Sequence, residues 1–162
     1  MNWEMVSGLS AIIQAVAVIV SLFFIWKQIR EQTTLTKAAN VQALVELSSP
    51  FNLELIKDRE MAEMWSQGRQ RYEKSDQTRD ADYRARYANL IIWWLMLHEN
   101  IYAQHDMQLL DDVFYTPWEK DLRSFVAHQL PEEIWKGLKE NYSEGFARHV
   151  DALLLHQKMG HN

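Results

Sequence analysis

The chain has 162 residues, of which 48% are hydrophobic and none is cysteine, and its formal net charge is -5. The acidic balance argues against nucleic acid as a partner, because phosphate binding needs clustered positive charge. Without cysteine there is no disulfide and no thiol nucleophile, a composition compatible with a reducing compartment.

The first element is an apolar run from Met5 to Trp26 that contains no Asp, Glu, Lys or Arg. As a helix, its roughly 22 residues extend about 33 Å, which matches the hydrocarbon core of a bilayer. Trp3 and Trp26 bracket the run, where aromatic side chains sit at membrane interfaces. The pattern predicts an N-terminal transmembrane anchor over residues 1–26, with membrane lipid as its surroundings. A cleavable signal peptide fits less well. The start is MNWEM, without a basic residue, and Lys27 to Arg30 stand where a cleavage site would lie. A core helix of a soluble protein is usually shorter, and a surface helix shows a polar face.

Lys27, Arg30 and Lys37 follow the span, and no basic side chain precedes it. The positive-inside rule then puts the N-terminus outside and the C-terminal body in the cytoplasm. Lys27 and Arg30 are also placed to meet anionic headgroups, with Glu31 diluting their charge. One face of the span suits another helix. Ser7, Ser10, Gln14, Ala17 and Ser21 recur at alternating steps of three and four, and each is small or polar. Small residues let membrane helices approach closely, and polar ones hydrogen-bond across the contact. The expected partner is another transmembrane helix, from a second copy or from another subunit.

The body reads as all-α, with no sustained period-two alternation and few Gly or Pro. A juxtamembrane helix is predicted over 27–50, with Ala38, Val41, Leu44, Val45 and Leu47 on its buried side. Pro50 is expected to stop it, because a residue before proline disfavours helix. The cytoplasmic helical domain then occupies 51–162, beginning with a short helix over Phe51–Ile56. Asp58 reads as the N-cap of a helix over Arg59–Gln67, with Gly68 as its C-terminal stop. The charged stretch Arg69–Arg79 is expected to be an exposed loop.

The strongest body helix is predicted over Asp80–Gln104, where Tyr83, Tyr87, Leu90, Trp94, Leu97 and Ile101 form one stripe. Its middle, LIIWWLML, is apolar all round but covers only ~12 Å, too short to span a bilayer. It is read as the central core helix. Asp111 or Asp112 begins the next helix, through Gln129, with Phe114, Trp118, Leu122, Phe125 and Val126 inward. Pro131 suits the first turn of a following helix that carries Ile134, Trp135 and Leu138. A last helix starts near Ser143 and turns Phe146, Val150, Leu153 and Leu154 inward, and the tail after His156 is expected to fray.

Chemistry-bearing residues are sparse. His98, Glu99, His105 and Asp106 form the best alternative metal set, because His98, Tyr102 and His105 share a helical face. The chain lacks H-E-x-x-H and any Glu-x-x-His pair, the spacings that place ligands on facing turns. Glu99 points away from His98, so the favoured reading is a hydrogen-bonded core histidine and a solvated His105. His149, Asp151 and His156 are a weaker group, since His149 and His156 lie two turns apart. No G-x-S-x-G elbow or Gly-rich phosphate loop occurs. No catalytic residue and no cofactor is therefore expected. Trp65, Trp93, Trp94, Trp118 and Trp135 are read first as core packing, with a partner-binding groove as the alternative. Trp93 and Trp94 point about 100° apart, so one of them can reach a second surface.

The opening tryptophan, the apolar span and IWKQIREQT, followed by REMAEMWSQG, HENIYAQHDMQLLD and EGFARHVDAL, are the features with a likeness elsewhere. Through them the chain resembles a diffuse group of uncharacterised bacterial single-span, membrane-anchored helical proteins. The resemblance implies an inner-membrane topology and carries no catalytic residues. The functional expectation is a non-enzymatic interaction, scaffold or accessory subunit of a membrane complex. The alternative is a membrane-tethered sensor or enzyme that binds a small ligand or metal in its helical domain.

Overall fold

The computed structural model describes residues 3–159, and every regular element among them is helical. The first, α1, runs without interruption over Trp3–Lys57. Backbone packing divides the chain into residues 1–39 and 40–162.

In the first unit the chain is a single stretch of α1. From Ser7 onward, every side chain described up to Gln32 is exposed, including Ile19, Phe23 and Trp26. Ser21 and Thr33 return their hydroxyls to the carbonyls of Ala17 and Ile29, four residues back. Such bonds satisfy the hydroxyls without a partner outside the helix.

The second unit contains the rest of α1 and five further α-helices. These are α2 (Arg59–Lys74), α3 (Ala81–Asp106), α4 (Asp112–His128), α5 (Glu132–Leu138) and α6 (Glu144–Met159). A single 3-10 turn, Lys139–Asn141, joins the last two. The central helix is α3, as its apolar middle implies. It buries Tyr87, Leu90, Ile91, Trp94, Leu95, Leu97, His98 and Ile101, and it packs against α2, α4 and α6. Among the middle residues only Met96 is largely exposed, at 59%.

Several local expectations are corrected. Of the predicted buried side of the juxtamembrane helix, Leu44 is buried and Val41 half-buried, but Ala38, Val45 and Leu47 are exposed, because only one narrow face of α1 is covered there. Helix α1 does not end at Pro50 but continues to Lys57. Proline removes one helical hydrogen bond, yet Phe51 directly after it is buried in an aromatic cluster. Ser48 and Ser49 both donate to the Val45 carbonyl just before the proline. Tertiary burial outweighs the local penalty there.

Gly68 does not terminate α2, which reaches Lys74, so the expected loop over Arg69–Arg79 shrinks to the turn before Asp80. The glycine serves packing: a Cβ there would lie 2.2 Å from Cε2 of Tyr87. Phe114, expected inward, is 47% exposed, because α4 begins before the stripe Leu122, Phe125 and Val126 reaches the core.

Other boundaries agree closely. Asp58 caps α2 by accepting from the amides of Glu60 (2.8 Å) and Met61 (3.2 Å). Asp111 precedes α4, and Pro131 precedes α5. Phe146, Val150 and Leu153 of α6 are buried. That helix remains regular beyond His156 to Met159, and residues 160–162 lie outside the described range.

Candidate functional site

A concavity open to a partner lies within residues 40–162, along the last turns of α1. Continuation of α1 through Pro50 brings Phe51 against α3. Its ring stacks on Trp93 at 4.6 Å, with planes 21° apart, and stands 5.2 Å from Trp65 and 5.0 Å from Trp94. The 100° step between neighbouring helix positions separates the two adjacent tryptophans. Trp94 is 6% exposed, while Trp93 is only half-buried and forms a wall of a concavity.

This concavity has a volume of about 510 Å³. Its floor is Phe51, Met64 and Leu90, all buried. Leu47 and Pro50 from α1, Met61 from α2 and Trp93 from α3 rise around it. Three polar residues, Glu54, Arg86 and Asn89, complete the lining. Arg86 is already neutralised, with its Nη1 2.5 Å from Oε1 of Glu60. Glu54 has no ion pair among the described residues, so the rim carries an uncompensated negative charge.

The proposed metal set is dispersed into separate contacts. His98 is buried, with Nδ1 3.0 Å from the Trp94 carbonyl. Its Nε2 lies 3.2 Å from Oδ2 of Asp121 without the alignment of a hydrogen bond. Glu99 accepts the Ser143 amide at 2.6 Å and so fixes the entry to α6. His105 stacks on Tyr115 at 3.8 Å and pairs with Asp112 at 2.8 Å. Asp106 is exposed. Among the described residues, no three His, Asp or Glu side chains converge on one point.

The second histidine group is likewise divided. His149 Nε2 lies 2.8 Å from Glu119 Oε2, whereas Asp151 accepts Trp135 Nε1 at 2.7 Å. Glu119 also accepts from Tyr115 (3.2 Å) and Arg123 (3.0 Å). Burial alone would raise its pKa, but the hydrogen bond and charge of His149, with Tyr115 and Arg123, hold it below the ordinary value. A carboxylate with a depressed folded-state pKa stabilises above its unfolded value, and that contribution disappears as pH falls through the folded value. Glu119→Gln is therefore expected to flatten the loss of stability below about pH 4.5, measured by thermal melts across pH.

On α1, Ser7, Ser10, Gln14, Ala17 and Ser21 lie along one exposed helical face, at the steps expected of them. Arg30 places its guanidinium 4.4 Å from the Trp26 ring centroid, and Lys27 lies 3.8 Å from Glu31. Trp3 is 77% exposed. Trp26, Lys27 and Arg30 thus lie together just after the apolar run, and Trp3 stands before it.

The groove itself was only partly legible beforehand. Trp93 carried a signal through its adjacency to Trp94. Leu47, Pro50 and Glu54 did not, because they became one wall only once the helix passed through the proline. Arg86 and Asn89 resemble any solvated helix positions. The partners Glu119 and Asp121 come from α4, distant in sequence from His149 and His98, whereas Asp112 lies only seven residues beyond His105, across the turn into α4. Compared with known proteins, the chain matches no protein-family model, no curated protein and no solved structure.

Proposed function

We propose that this chain is a membrane-anchored, non-enzymatic interaction or accessory subunit, with α1 crossing the bilayer and pairing with another transmembrane helix. The observation that carries the reading is a helix long and apolar enough to cross a membrane, none of whose apolar stretch is buried by the rest of the chain. In water, so many exposed Ile, Val, Leu and Phe side chains are unfavourable, whereas hydrocarbon suits them. The stripe Ser7, Ser10, Gln14, Ala17 and Ser21 supplies a surface for a second helix, since an amide in the bilayer gains by hydrogen-bonding a neighbour. Lys27 and Arg30 after the span favour a cytoplasmic body at the inner membrane.

Replacing Ser10 and Gln14 together by Leu keeps the helix apolar and removes the polar contacts. Self-association, or co-purification of a membrane partner in mild detergent, is expected to weaken by about 1–2 kcal/mol. Undiminished assembly of the double variant would remove this face from the proposal. Recovery of the full-length chain in the supernatant after detergent-free ultracentrifugation would remove the anchor.

A further inference from the structure

Within the body, we propose that the groove between α1 and α3 receives an amphipathic helix of a partner protein. Its apolar stripe would seat on Leu47, Pro50 and Trp93, and a flanking Lys or Arg would meet Glu54. This inference rests on reading the chain as an interaction subunit and names the kind of segment its body takes.

Shape favours a helix. One wall is formed by Leu47, Pro50 and Glu54, and the facing wall by Arg86, Asn89 and Trp93, each set at steps of three and four. Each wall is therefore one continuous helical face over about 10 Å. Met96, 59% exposed, extends the α3 face by a further turn. A trough with these repeating walls matches the i, i+3, i+4, i+7 anchors of a docked helix. Small-molecule pockets instead enclose most of their ligand, and this trough is open to solvent. Met61 and Met64 give the trough unbranched side chains that repack around an apolar knob.

Charge selects among apolar segments. Arg86 is held by Glu60, which leaves the Glu54 carboxylate as the rim charge without a counter-ion among the described residues. A cationic flank completes that rim. An acidic helix, or an apolar chain ending in a carboxylate, would place like charge beside it.

The test uses the full-length chain in nanodiscs and a fluorescent, stapled helical peptide. The peptide carries Leu at alternating third and fourth positions and one flanking Lys, and empty nanodiscs supply the background. The Lys peptide is expected to bind about two- to fivefold more tightly than its Glu counterpart, the range of an exposed ion pair. Glu54→Gln is expected to abolish that preference, and Leu47→Asp to weaken binding about tenfold. Both residues are exposed, and circular dichroism melts confirm that the variants fold.

Binding no greater than to empty nanodiscs, equal affinity for the two peptides, or indifference to Leu47→Asp would each overturn the groove proposal. Concentration-dependent self-association lost in Leu47→Asp would assign the groove to a second copy and also overturn it. These outcomes are separable from the anchor. Groove failure with continued release of a membrane partner by the Ser10/Gln14 double variant leaves the subunit reading intact.

Discussion

Gly68→Ala is expected to destabilise the body by about 1–3 kcal/mol, the range for overpacking a tight core. The expectation runs against helix propensity, which favours alanine over glycine by ~1 kcal/mol inside a helix. Steric contact wins because the obstacle cannot withdraw. The added Cβ would lie 2.2 Å from Cε2 and 2.6 Å from Cδ2 of Tyr87. The Tyr87 ring is fully buried, stacks against Tyr83, and packs against Tyr72 at 5.6 Å. Its hydroxyl donates to the Gln129 carbonyl at 2.5 Å, so a displaced ring also loses a buried hydrogen bond. Gly137→Ala supplies the opposite sign. It is also helical, nothing lies within 4 Å of its added Cβ, and it is expected to stabilise by about 0.4–1 kcal/mol. Thermal melts of the two variants in detergent should move in opposite directions. A higher melting temperature for Gly68→Ala would mean that α2 and α3 are not as close as described.

Trp94→Ala is expected to cost about 3–5 kcal/mol of the body's stability. Trp94 joins α1, α2 and α4 around the central helix, with ring centroids 5.0 Å from Phe51, 5.0 Å from Trp65 and 6.3 Å from Phe125. His98 stands 5.2 Å away on the next turn. Removing the indole leaves a void whose lining is held by three other helices, so collapse is incomplete. Trp94→Phe should cost far less. Phenylalanine retains most of the aromatic contact, and it removes a buried indole N–H that has no partner among the described residues. Relief of such a donor offsets about 1–3 kcal/mol of lost packing. Urea unfolding of full-length protein in micelles checks both values. Equal losses in the two variants would show that the N–H, and not the ring volume, secures this position.

Periodicity and capping were enough to place α3, α4, α5 and α6 and the start of α2, but not the passage of α1 through Pro50 or the end of α2. The stripe from Tyr83 to Ile101 identified α3 and its burial, because a helix with apolar residues every third and fourth position has one stable place for that face. Asp58 announced the start of α2 through its short side-chain acceptor, a device that acts within three residues. Composition alone marked the stretch from Met5 to Trp26, since the absence of charge over about 22 residues is a property of the segment and needs no neighbours.

Whatever depended on a neighbour distant along the chain was decided by the tertiary structure. Pro50 and Gly68 carry strong local instructions to stop a helix, and both were overridden by contacts to α3. Phe51 is buried against Trp93 and Trp94, and the bare Cα of Gly68 admits Tyr87. The histidines show the same division. Their spacing along α3 and α6 was visible, but Asp121, Asp112 and Glu119, which separate them into different contacts, all come from α4. The groove, too, exists only because two helical faces are brought opposite each other. Local propensities amount to about 1 kcal/mol or a few, and burying one aromatic ring is worth as much, so packing arbitrates wherever the two conflict.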